Sequence, residues 1–63
     1  MGLFAVVIST STKAREFKFA ELSEAREAAN DLWRWAKGSD EHGSITLYEQ
    51  RGKDWFVIQH EEV

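Results

Sequence analysis

Apolar residues recur along this chain in two rhythms, and the change from one to the other divides it. From Leu3 to Ser9 the run Leu-Phe-Ala-Val-Val-Ile-Ser is almost continuously apolar and rich in β-branched residues. That pattern predicts a strand with both faces at least partly covered. A polar turn, Ser9 to Lys13, follows. Ala14 to Ala20 then alternates, with Phe17 and Phe19 on one side and Glu16 and Lys18 on the other, which completes a hairpin.

The period then lengthens. Ser23 is a suitable N-cap, Glu24 and Glu27 suit the positive end of a helix dipole, and Lys37 with Gly38 suits its end. A helix is therefore expected over Glu24 to Lys37. At 100° per residue Ala25, Ala29, Leu32 and Ala36 form one stripe, with Ala28 beside it and Trp33 and Trp35 on opposite flanks. Gly38 to Gly43 reads as a loop. Ser44 to Gln50 alternates again, with Ile45 and Leu47 opposing Thr46 and Tyr48. Arg51-Gly52-Lys53-Asp54 is a turn, Trp55 to His60 a second near-continuous apolar strand, and Glu61 to Val63 a frayed tail.

The expected fold is α+β: ββαββ, a four-stranded antiparallel sheet with one helix packed on one face, in a single small domain. One helix covers one face, yet Leu3–Ser9 and Trp55–His60 are apolar on both. Placing these two strands side by side in the middle, with Ala14–Ala20 and Ser44–Gln50 at the edges, joins the surplus into one patch. That patch is Phe4, Val6, Ile8, Phe56 and Ile58, or the opposite set of Leu3, Ala5, Val7, Trp55 and Val57; Tyr48 is expected to face the same partner side. Four or five large side chains at ~1.5–3 kcal/mol each rival the ~5–15 kcal/mol stability of a whole domain. Such a face calls for cover.

Composition narrows the classes. The chain has 63 residues, 43% hydrophobic and 13% aromatic, and no cysteine. That is too apolar for disorder, and it leaves dense packing or self-association as supports for so small a body. A homodimer or a hetero-protein partner is the expectation. Short, cysteine-free, acidic chains are frequent among mobile-element and phage products that inhibit host machinery, so a hetero-partner would be a larger host assembly. No apolar run nears the ~20 residues that span a bilayer, and the start lacks a signal peptide's basic region and cleavage site. The expected location is cytoplasmic.

Candidate chemistry is sparse. His42 and His60, with Asp40, Glu41, Glu61 and Glu62 nearby in sequence, lack the spacing of a structural zinc site and read as solvated loop and tail residues. The hydroxyls of Ser9 to Thr12 have no glycine-rich nest or following helix to hold a phosphate. No nucleophile stands beside an oriented base. Neither an enzyme, nor a cofactor, nor a small-molecule substrate is expected.

The first hairpin and a helix opening Ser23-Glu24-Ala25-Arg26-Glu27-Ala28-Ala29 resemble the strand–strand–helix pattern of integrase arm-type and AP2-like DNA-binding domains, over residues 2–37. The resemblance implies DNA reading by polar, arginine-rich strand faces, and here the strands offer Phe4, Val6 and Ile8 instead. With a net charge of −3, nucleic acid is the alternative partner. It would be met through Lys13, Arg15 and Lys18 on the first hairpin and Arg51 and Lys53 on the second turn.

Overall fold

The computed structural model describes residues 3–63 and gives the order ββαββ: β1 Phe4–Thr10, β2 Ala14–Phe19, α1 Leu22–Gly38, β3 Gly43–Arg51 and β4 Asp54–Glu62. The four strands form one antiparallel sheet in the order β2-β1-β3-β4. The α+β class and the single helix on one face follow the alternation in the sequence.

Val6 and Ile8 of β1 and Ile45 and Leu47 of β3 point at the helix, where Ala25 and Ala29 meet them. Alanine lets the helix axis approach the sheet closely, and Phe4, Phe19, Leu22, Leu32 and Trp33 seal the margin of this core. The two indoles divide as their positions on the helix require. Trp33 packs against the core, while Trp35 is partly exposed with the Lys13 ammonium 4.3 Å from its ring.

Strand order departs from expectation. β1 neighbours β3, and β4 lies at an edge. The cause is the crossover: α1 connects β2 to β3, which flank β1, so it lies over these three strands and makes no contact with β4. A helix ~10–12 Å wide cannot span four strands spaced ~4.8 Å apart.

Three boundaries also move. The helix begins earlier, with Glu21 as N-cap and no side-chain cap, so Ser23 lies within the first turn. At the other end Gly38 is still helical. Asp40 takes the left-handed position (φ 55°), and Glu41 N–H donates to Ala36 O at 2.8 Å while Asp40 N–H donates to Lys37 O at 3.3 Å. Those two bonds make a Schellman motif with aspartate where glycine is usual. The expected tail is strand: β4 continues to Glu62, Val63 N–H donates to Gly43 O at 3.0 Å, and Val63 packs on the core.

Candidate protein-docking surface

The sheet register decides which side chains are spare. Ala5, Tyr48 and Val57 share one row across β1, β3 and β4, as do Val7, Thr46 and His60 in the next. Both rows alternate with the Val6–Leu47 row beneath the helix, so they lie on the helix-free face. Ala5, Val7, Glu16, Tyr48 and Trp55 line a shallow depression there of about 220 Å³. That is below the ~300–1,000 Å³ of ordinary small-molecule sites. Beside it, Thr46 Oγ1 and His60 Nδ1 are 2.9 Å apart, which keeps buried Thr46 paired on a largely apolar face.

The surplus expected in mid-sheet is concentrated on the edge. Trp55, Phe56, Val57 and Ile58 are 39%, 43%, 56% and 38% exposed, four consecutive large apolar residues on a strand that the helix does not touch. Phe56 opposes Glu49 and belongs to the helix side of the sheet, whereas Val57 opposes Tyr48 and belongs to the other. A bulge between Leu47 and Tyr48 leaves Ile58 with no partner on β3. β4 therefore has the composition of a strand buried on both faces and the position of an edge.

The sequence-derived interface set is thus split. Phe56, Ile58 and Tyr48 remain accessible or half-buried, and Phe4 is half-buried against the core. Val6 and Ile8 are 0% exposed under α1 and have no surface to offer. The residues that take their place, exposed Trp55 and Val57 with half-buried Val7, belong to the opposite-parity set, whose Ala5 is only 2% exposed. Parity could not be decided from two strands apolar on both sides. The length of α1 and its place between β2 and β3 were the signals that decide it.

The five basic residues are also divided. Arg15 opposes Ile8 toward the β1–β2 turn, Lys18 opposes Ala5 in the other half of the sheet, and Arg51 and Lys53 border the β3–β4 turn beyond it. Several have local work. The Lys18 ammonium lies 5.8 Å from the Trp55 ring, and the Arg51 guanidinium lies 5.2 Å from Phe56 while its Nη2 bridges to Glu49 Oε1 at 2.8 Å.

Elsewhere, the Thr10 hydroxyl donates to Glu41 Oε1 at 2.9 Å and the Thr12 hydroxyl donates to the same oxygen, tying the β1–β2 turn to the segment after α1. Those bonds, Thr12 first, hold the Glu41 carboxyl below the usual carboxylate range. His42 lies 3.9 Å from Asp40 and His60 3.8 Å from Glu62. Among the described residues no three His, Asp or Glu side chains converge as a metal cage would require, and no helix is long and apolar enough to cross a membrane. Comparison with protein-family models, curated proteins and solved structures finds no match to the chain.

Proposed function

We propose that this protein is a non-enzymatic, cytoplasmic interaction module that docks on another protein surface through β4 and the adjoining helix-free face. One observation carries the reading: Trp55 to Ile58 is an uncharged, accessible apolar segment on an edge strand without helical cover. Aromatic residues at such positions supply large contact area with little side-chain entropy to lose, which is why they dominate the energetics of interfaces. Tyr48, Trp55 and Val57 form the side remote from the helix, and Phe56 supplies an anchor on the other.

Phe56→Asp tests the reading. The side chain is accessible, so the fold should survive, with an unchanged far-ultraviolet dichroism spectrum. Mass in solution by light scattering should fall from an associated form to a single chain, or capture of a protein partner should be lost. A variant with unchanged mass and unchanged binding would remove β4 as the docking surface.

A further inference from the structure

We propose that the chain carries its own cover for this surface: Lys18 and Arg51 lie over Trp55 and Phe56, one on each face of β4, and a partner must displace them. The proposal rests on the reading of β4 as a docking surface and adds an autoinhibitory contact to it.

The two aromatic residues point to opposite faces. Trp55 opposes Gln50 and lies with Tyr48 on the helix-free side, whereas Phe56 opposes Glu49 on the helix side. Lys18 opposes Ala5, whose partner on β3 is Tyr48, so it stands on the helix-free side as well. Its ammonium is 5.8 Å from the Trp55 ring although the two residues belong to opposite edges of the sheet. Three strand spacings of ~4.8 Å separate those edges, a gap closed only by two long side chains reaching toward each other. Lys18 and Trp55 thus form a strap across the open face. Ala5, in the row of Lys18, is 2% exposed on a face without a helix, as a residue beneath such a strap should be.

Arg51 reaches Phe56 on the other side by a shorter route. Its Nε and Nη2 donate to Glu49 Oε1 at 2.9 and 2.8 Å. Glu49 is the register partner of Phe56, so the carboxylate holds the guanidinium where it meets the ring, 5.2 Å from its centre. Glu49 is the positioning residue and Arg51 the cover.

Sheet edges are ordinarily protected by charges of their own, and β4 has none from Trp55 to Ile58. Here the neighbouring strands lend theirs. A cation over an aromatic face occupies area that a partner would bury, and it must leave that face before contact. At exposed sites such an interaction changes an affinity by roughly two- to fivefold. The Trp55 and Phe56 side chains keep part of their surface exposed, so the covers bias the edge toward the free state and remain displaceable.

Nile red, an uncharged dye that brightens on apolar surfaces, reports the cover directly. Lys18→Gln and Arg51→Gln should each raise dye affinity by roughly two- to fivefold, and Lys18→Arg should leave it near the parent. Lys53→Gln is the control, since Lys53 lies over no ring among the described residues. Light scattering adds a test of sign. Each glutamine variant moves the net charge from −3 to −4, and repulsion between copies alone would reduce association. Loss of a cover should increase it, in Lys18→Gln and Arg51→Gln only. In proton spectra of the parent, the Lys18 ε-methylene resonances should lie upfield under the Trp55 ring current and return in Trp55→Leu.

Glutamine variants of Lys18 and Arg51 that behave as Lys53→Gln does overturn the proposal, as do unshifted Lys18 ε-protons. The docking reading survives that result if Phe56→Asp still abolishes association or capture. The converse is also separable: dye affinity that rises in both variants, with mass and capture indifferent to Phe56→Asp, keeps the cover and removes docking on β4.

Discussion

The two edges of this sheet solve the same problem in different ways. β2 has six residues; Phe17 and Phe19 turn toward the helix, and Glu16 and Lys18 turn to the open face. Charge protects its exposed side, and on the other α1 covers Phe19 while Phe17 stays 37% exposed. β4 has nine residues, no contact with α1 and no charge from Trp55 to Ile58. A strand can be amphipathic and closed or apolar and open, and only the second kind leaves burial to be gained on association. The contrast shows that the hydrophobic surplus is concentrated on one edge, with four consecutive exposed apolar residues on β4 against Phe17 alone on β2.

The contrast should appear first in stability. Phe19→Ala on β2 should cost about 2–3 kcal/mol, because the ring is packed against the core and its loss leaves a gap beneath the helix. Phe56→Ala on β4 should cost about 1 kcal/mol or less when urea unfolding is measured at low micromolar concentration, where association adds little. Equal costs would mean that the two edges are not different in kind.

The turns differ next. The β3–β4 connection has two residues, and Gly52 adopts φ +61°, as expected for glycine at the first central position of a hairpin turn. Gly52→Ala should cost about 1–2 kcal/mol even though no atom stands in the way of a Cβ, since the penalty is conformational. Ser11→Ala in the β1–β2 turn, where no positive φ occurs, should change the urea midpoint very little.

Exchanging the edge devices sharpens the comparison at almost no cost in monomer stability. Val57→Lys gives β4 the kind of charge that β2 carries, and Lys18→Val takes it from β2. Each should shift folding free energy by ~0.5 kcal/mol or less, as accessible sites do. Light scattering should show reduced association in the first and increased association in the second. Movement in the same direction would break the argument from edge charge.

Much of this was legible from residue order. Alternation over Ala14–Ala20 and Ser44–Gln50 assigned each side chain to the correct face, and the alanine stripe identified the buried side of the helix. Strand order was not legible, because β1 and β4 are equally apolar and nothing local says which one the crossover helix will cover. Cap positions were misread where backbone geometry overrode side-chain preference. Ser23 has a good capping hydroxyl but lies within the helix, and Asp40 occupies the left-handed site while Gly38, two residues earlier, stays helical. Burial of Val6 and Ile8 follows from the same helix placement, which is why two of the six expected interface residues gave way to Trp55 and Val57.

The smallest expected effect concerns pH and again separates the two hairpins. Glu41 fastens the β1–β2 turn by accepting from Thr12 and Thr10, and its folded-state pKa is depressed relative to the unfolded chain. A depressed carboxylate contributes stability that is fully present above its unfolded value of ~4.3 and is lost as pH falls through the lower folded value. Thr12→Val removes the larger cause and spares Thr10, whose Oγ1 also accepts from Lys13 N–H at 3.0 Å. The variant should therefore melt below the parent at neutral pH, and the gap should narrow as both are titrated toward pH ~2. Glu41 is substantially hydrated, so the shift should be small, a matter of careful melting curves across the acid range. Parallel curves for the two proteins would show that the carboxylate does not hold this turn.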